Sequence, residues 1–298
     1  MLQNILVIGA TGNFGLPVTQ ALIEHGLEVT AMVRNPEKAA KILPPDVDLI
    51  QGNLQDINSI ERALVGQDAI YLNLSIKPSE HKNAFHPEKE GIKTLLQAAK
   101  HSGIQRIFYL SSLLKNYPSD NWLLQIKKQA VQLLKKANIP VTIFYPSLFM
   151  ETIPDILMKK NRIYIPGSSK IIRYWIAAED YARQVATAVK ANSFSEVNID
   201  YIIQGQEGIT LEDAIKKFIK SQKGYKFKTL FLPLNILKKI SFLHPQIFYI
   251  TILSKAILEY PEVFSASKSW NELGKPEITF KEFANKINNN LHLGQYSK

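Results

Sequence analysis

An apolar run of four residues, Ile5-Leu6-Val7-Ile8, breaks directly into Gly9-Ala10-Thr11-Gly12-Asn13-Phe14-Gly15, and a helical pattern begins at once. Strand, glycine-spaced turn and helix in that order restrict the chain to a parallel βαβ start. Gly9 permits a tight exit from the strand, Gly12 removes a Cβ where backbone would approach a pyrophosphate, and Gly15 lets the helix pack close to the strand. The unpaired amides of the helix start and its dipole favour an anion there. Gly9, Thr11, Gly12, Asn13, Phe14 and Gly15 are therefore candidate contacts to a dinucleotide.

The same rhythm continues to Pro146. Strand patterns fall at 28–33, 47–51, 68–74, 106–111 and 140–145. Between them lie a helix from Asp56 to near Gly66, one from about Pro87 to Gly103 and one over about 121–137. Pro17 is accommodated in the first turn of the first helix, where its missing N–H costs nothing. Alternation at this spacing predicts an α/β fold with a doubly wound parallel sheet.

Beyond Pro146 the rhythm changes. A helix-like stretch (151–160) precedes Ile163–Gly167 and the apolar 171–176. Asp180 is expected to open a helix to about 191, 197–205 to form a strand, and Thr210 to cap another helix. A largely apolar helical region (233–258) and a last helix from near Thr279 complete the chain. No linker rich in Gly, Ser or Pro divides it. The expected organisation is a nucleotide-binding domain over 1–150, with 151–298 as a smaller α/β substrate-binding lobe interleaved with it.

Several chemistries are excluded by composition. The 298 residues include no cysteine, which removes disulfides, thiolate zinc sites, iron–sulfur clusters and cysteine nucleophiles. The six histidines are scattered, and the closest pair, His81 and His86, has no carboxylate in ligand register, so no metal site is expected. His86 instead reads as the cap region of the helix at Pro87. Ser111-Ser112 lacks the G-x-S-x-G elbow of serine hydrolases. With no stretch of 18 apolar residues and no charged leader, a cytoplasmic location is expected.

Net charge is +10 and unevenly placed: residues 1–150 carry 15 Lys/Arg against 12 Asp/Glu, and 151–298 carry 21 against 14. Nine lysines and no acid occur between Asp213 and Glu259. A solvated basic face accounts for this run, and weak contact of 214–258 with an anionic membrane surface is the alternative. No nucleic acid partner is expected, and the sequence sets no oligomeric state.

The end of the second strand addresses cofactor choice. NAD sites usually place an acid there for the ribose 2′-OH. Here the strand ends in Arg34-Asn35-Pro36-Glu37-Lys38. The guanidinium fork of Arg34 suits a 2′-phosphate, so NADP(H) is favoured over NAD(H).

The glycine loop together with Arg34–Lys38 resembles the atypical and extended short-chain dehydrogenases, and within them the NmrA-like group, over nearly the whole chain. By that resemblance, Gly52-Asn53-Leu54 sits beside adenine, and Asn73 and Leu74 join the cofactor contacts. Leu110-Ser111-Ser112 matches the strand carrying the family's active-site serine. Val141–Pro146 resembles the strand whose end faces the nicotinamide, which implicates Tyr145, Pro146 and Ser147. Glu179–Ala182, Gly205–Ala214 and Leu273–Pro276 have counterparts too. The superfamily's Tyr-x-x-x-Lys pair maps its lysine onto Lys127 but finds Leu123 where the tyrosine belongs. Neither Tyr117 nor Trp122 lies one helical turn before Lys127. The resemblance thus implies an NADPH-dependent reductase of a small, apolar, electron-poor acceptor, quinone- or enone-like, with Lys127 and Ser111 at the reacting end. The alternatives are a non-catalytic redox sensor working through a protein partner, and an epimerase or dehydratase.

Overall fold

The computed structural model describes residues 2–191 and 197–292; the end of the expected second lobe, 293–298, lies outside them. Its elements, in chain order, are β1 (Asn4–Ile8), α1 (Gly15–Glu24), β2 (Glu28–Val33), α2 (Pro36–Ala39), β3 (Asp48–Gln51), α3 (Ile57–Leu64), β4 (Ala69–Leu72), α4 (Ile92–Ala99), β5 (Arg106–Leu110), α5 (Trp122–Lys135) and β6 (Val141–Pro146). There follow β7 (Met158–Lys159), β8 (Arg162–Pro166), β9 (Arg173–Tyr174), α6 (Ala178–Ala191), β10 (Ile199–Ile203), β11 (Gly208–Ile209), α7 (Leu211–Ser221), β12 (Lys228–Leu232), α8 (Leu234–Ile240), α9 (Pro245–Glu259), α10 (Ser267–Leu273) and α11 (Phe280–His292).

A seven-stranded parallel sheet, ordered β10-β6-β5-β4-β1-β2-β3, organises the molecule as an α/β Rossmann fold. Its strands read as continuous apolar runs because both faces are covered. Ile5 and Val7 pack with Val18 and Leu22 of α1 and with Val185 and Val189 of α6. Leu6 and Ile8, pointing the other way, pack with Ile60 of α3, Leu95 of α4 and Leu134 of α5. After β3 the chain returns to the other side of β1, so the crevice between β1 and β4 is the switch point where such sheets take ligands.

Residue 150 is no boundary for this sheet. Its seventh strand, β10, pairs with β6 from Ile199↔Thr142 to Ile203↔Pro146, and α6 covers its face. The remainder builds a smaller lobe from a three-stranded sheet, β12-β8-β7, the short pair β11-β9, and α7 and α11 over an apolar core that includes Trp175, Phe218 and Phe280.

Two local expectations, for 151–160 and for Asp180, are corrected. Residues 151–160 form no ordinary helix: a π-helical turn, Ile153–Leu157, runs straight into β7, with Pro154 early in the turn. Within 171–176 only Arg173–Tyr174 pair as a strand, while Ile176 bridges Phe149. Asp180 does not open its helix but lies buried in the first turn of α6. There its carboxylate accepts from the amides of Glu277 (2.9 Å) and Ile278 (2.8 Å), fastening the chain before α11. Thr210 does cap α7 by accepting from the Asp213 amide, and Thr279 with Glu282 forms a reciprocal capping box at α11. Among the described residues no helix is long and apolar enough to cross a membrane.

Candidate functional site

The glycine loop closes the carboxyl end of β1. Gly9 adopts φ +91°, and a Cβ there would stand 2.1 Å from the Asn73 carbonyl oxygen. A Cβ on Gly15 would stand 2.0 Å from the Gly9 carbonyl oxygen, so the helix start can sit this close to the strand end only with glycine at both places. Gly12 donates its amide to that same carbonyl (3.1 Å), and Asn73 Nδ2 donates to it at 3.2 Å. Phe14 takes the N-cap position of α1 without a side-chain cap; in the first turn Leu16 donates to the Gly12 carbonyl (3.0 Å) and Pro17 has no N–H, so the Gly15 amide is the one left to an outside acceptor. Thr11 and Asn13 are exposed. Phe14 stacks on Phe149 with ring centroids 3.8 Å apart, and Asn13 Nδ2 donates to Asp155 (2.9 Å), so the turn at 149–155 flanks the loop.

Beside the loop a cavity of about 540 Å³ opens between the ends of β2 and β3 and the helix α3. Arg34 enters it from the end of β2, Gly52 and Asn53 from the end of β3, and Ser59 and Arg62 from α3. Arg62 was not singled out in the sequence, yet a signal was present: with Asp56 as N-cap, positions 56, 59 and 62 share one helical face. The Asn53 side chain is bound locally, accepting from the Gln55 amide (3.1 Å) and donating to Gln55 Oε1 (3.2 Å). Leu54 is buried against Gly91, so only its backbone is available to a ligand.

At the ends of β4, β5 and β6 the structure gathers the remaining candidates. Lys127 Nζ donates to the carbonyls of Leu74 (3.1 Å) and Leu110 (3.0 Å) and stands 2.5 Å from Glu88 Oε1. An ammonium has three N–H groups, and all three are spent inside the protein. Glu88 is buried; it also accepts from Tyr109 Oη (2.6 Å), while its second oxygen has no partner. Ser111 is buried at the end of β5 with an unpartnered hydroxyl. Ser147 donates to Glu262 (2.9 Å). Tyr145 is buried on the α5 side of the sheet with the Lys115 ammonium 3.4 Å from its ring centroid. Its hydroxyl is held far above the ordinary tyrosine range by burial and then by the charge of Asp200. Burial pushes the Lys115 ammonium down to about 8. Pro146 continues the strand beside Ile203.

Leu123, one turn before Lys127 on α5, packs in an apolar cluster with Ile76 and Ile126. Tyr249, Ile252 and Leu253 of α9 cover that cluster, and Trp122 stacks on Phe248. Tyr117 turns to the same lobe, donating to Glu259 (2.6 Å) and meeting the Tyr260 ring edge-on. Burial, followed by the neighbouring Glu88 and Glu80 charges, pushes the Tyr249 hydroxyl up to about 12.

Sequence reasoning missed the polar clamp behind this cover. Glu262 and Arg173 form a buried pair at 3.2 Å, with Gln204 donating to Glu262 (2.8 Å) and Arg173 to the Tyr260 carbonyl (2.6 Å). The side chains of Arg173, Gln204 and Glu262 come from positions up to 89 residues apart with no shared local pattern, so no motif could announce them. The expectation of no carboxylate near His86 is also corrected: Glu80 stands 3.2 Å from its Nδ1. Among the described residues, however, no three His, Asp or Glu side chains come together as metal ligands.

The family model described as the NmrA-like family matches residues 1–275. Photosystem II assembly factor Ycf39 of Guillardia theta is 26% identical over 270 residues, covering 89% of this chain and 84% of that protein. Its counterpart in Cyanophora paradoxa is 33% identical over 142 residues, 48% of this chain and 44% of the other. An NAD(P)H azoreductase of Xenophilus azovorans is 27% identical over 196 residues, 63% of this chain and 62% of that protein. Among solved structures, the NADPH complex of the Escherichia coli quinone oxidoreductase QOR2 superposes with TM-score 0.70 at 21% identity, covering 95% of this chain and 99% of the other. The triphenylmethane reductase of Citrobacter with NADP(H) gives TM-score 0.74 at 18% identity, covering 96% and 99%.

Proposed function

The chain belongs to the NmrA-like family, and from that premise we propose that it is an NADPH-dependent reductase delivering hydride to a small, apolar, electron-poor acceptor of the quinone or enone type. The observation that carries this reading is the pairing of a two-arginine cavity beside the glycine loop with an apolar leucine, Leu123, one turn before Lys127. Both halves bear on chemistry. Two guanidinium groups suit the 2′-phosphate that distinguishes NADPH, and the absence of an acid at position 123 suits an acceptor that needs none.

When bound, the dinucleotide supplies the hydride. The chain's own residues do the rest. The Gly15 amide at the start of α1 donates to the pyrophosphate, and Arg34 and Arg62 take the 2′-phosphate. Lys127 braces the ends of β4 and β5 through the Leu74 and Leu110 carbonyls. The cover of Tyr249, Ile252 and Leu253 keeps water from the acceptor's apolar body. An electron-poor acceptor spreads the charge it gains over its own π system and can take its proton from water. General acid catalysis, worth roughly 10²–10⁴-fold, is then dispensable. The named activities of the azoreductase, the quinone oxidoreductase and the triphenylmethane reductase support this class of acceptor. Epimerase chemistry, represented among the fold's solved neighbours, has no ionisable group at position 123 to use.

A second reading rests on the same residues. With Lys127 spent on protein acceptors and Leu123 inert, the site would bind NADP(H) without turnover and signal its redox state to a protein partner. The likeness to an assembly factor supports it. Following NADPH absorbance with benzoquinone or an enone, against enzyme-free controls, separates the two. Saturable oxidation is expected. NADPH binding without consumption by any such acceptor would overturn the reductase in favour of the sensor.

A further inference from the structure

The second lobe presents a face that the site above does not use. Strand β12 is the edge of its three-stranded sheet, paired on one side only, with β8. From it the chain passes through Pro233 into α8, and a 3₁₀ turn, Ser241–Leu243, extends that helix. Leu237 points inward and is buried. The outer positions carry Phe231, Ile236, Phe242 and Leu243, which remain 56%, 52%, 81% and 65% exposed. Four large apolar side chains exposed within thirteen residues are more than the scattered singles of an ordinary surface. Lysines frame them: Lys226 and Lys228 precede Phe231, and Lys238 and Lys239 stand between Ile236 and Phe242, all exposed. Among the described residues none of these four lysines is paired with a carboxylate, whereas Lys216, Lys217 and Lys255 nearby are.

The occupant follows from charge and shape. Apolar tips exposed on β12, on α8 and on its 3₁₀ extension, with exposed lysines at neighbouring positions and no acid from 214 to 258, match the boundary of an anionic bilayer, where acyl chains take the tips and headgroups take the lysines. A folded protein partner would have to bring a dense acidic rim around an apolar hollow. A bilayer of acidic lipid offers both without a dedicated shape. We propose that Phe231, Ile236, Phe242 and Leu243, with Lys226, Lys228, Lys238 and Lys239, form a peripheral docking face for anionic lipid. The chain rests on the membrane surface there.

Vesicle flotation of the full chain tests this directly, with phosphatidylglycerol–phosphatidylcholine vesicles against phosphatidylcholine alone at moderate salt. The chain should float with the first and not the second. F242S/L243S keeps every charge and should weaken partitioning about tenfold or more. K238Q/K239Q should weaken it and reduce its dependence on salt. Unchanged thermal melting would establish that both variants fold. In F242W, brominated lipid should quench the new indole beyond the wild-type response. Equal flotation of F242S/L243S would overturn the apolar part of the proposal. No preference for anionic vesicles would overturn the whole and leave the face to a protein.

Discussion

At the scale of single residues, the phosphate end is decided by a few atoms. Arg34 and Arg62 reach one cavity from two elements, so each should contribute separately to NADPH binding. Replacing either by Ala should weaken NADPH by about 1.5–3 kcal/mol, the range for hydrogen bonds to charged groups, and leave NADH nearly unchanged. Titration calorimetry with both dinucleotides checks this, and equal losses for both would remove the 2′-phosphate assignment. Half of this was legible beforehand. Arg34 announces itself because it ends a strand at a position where chemistry demands a choice. Arg62 lies 28 residues later on a helix whose phase is visible only once Asp56 is known to cap it.

Among the elements, α5 shows how a familiar pattern can be put to another use. Its residues 123 and 127 occupy successive turns, and the leucine at 123 packs into the apolar cluster that α9 covers. Lys127 in turn is locked to Glu88 and two strand-end carbonyls. The sequence could locate this lysine but not its partner, because Glu88 comes from the π-helical turn Pro87–Gly91 on another segment. Since Glu88 is buried, Lys127→Met should cost about 3–5 kcal/mol in urea unfolding, the usual penalty for stranding a buried charge. The double variant K127M/E88Q should recover most of that loss, since neither charge is then left alone. If the two single losses simply add, the pair is not coupled and the lysine serves elsewhere. NADPH affinity should fall in the single variant, because the ends of β4 and β5 lose their brace.

For the whole molecule, the alternating first half was legible because each strand–helix unit carries its own turn chemistry and period. The second lobe was not, because short strands such as β7, β9 and β11 hold two residues each and are defined by partners far along the chain. One residue at the join of the two regions gives the stability of the whole molecule a dependence on pH. Glu151 accepts from the Ala178 amide at the start of α6 (2.9 Å), and burial pushes its carboxyl from 4.5 up to about 7. Below pH 4.5 the group is protonated in both folded and unfolded chains; between 4.5 and 7 only the fold keeps the proton; above 7 the fold carries a buried charge. Its contribution is therefore present at low pH and lost as pH rises through 7, by about 3 kcal/mol. Glu151→Gln abolishes that titration. Its stability relative to wild type should increase by about that amount from pH 4.5 to pH 8 in chemical denaturation. Parallel profiles for the two proteins would refute it.

The place of β10 beside β6 also has a consequence in time. During synthesis β6 is complete when residue 146 has been made, but its neighbour ends only at residue 203. At about 5–20 residues per second, β6 waits roughly three to eleven seconds with one row of backbone amides and carbonyls unpaired. Through that interval the nascent sheet has an open, apolar edge of the kind that recruits other chains. Six strands translated in order cannot close the fold by themselves. The chain must first make β7, β8, β9 and α6 of its later half, and only then returns to seal the sheet.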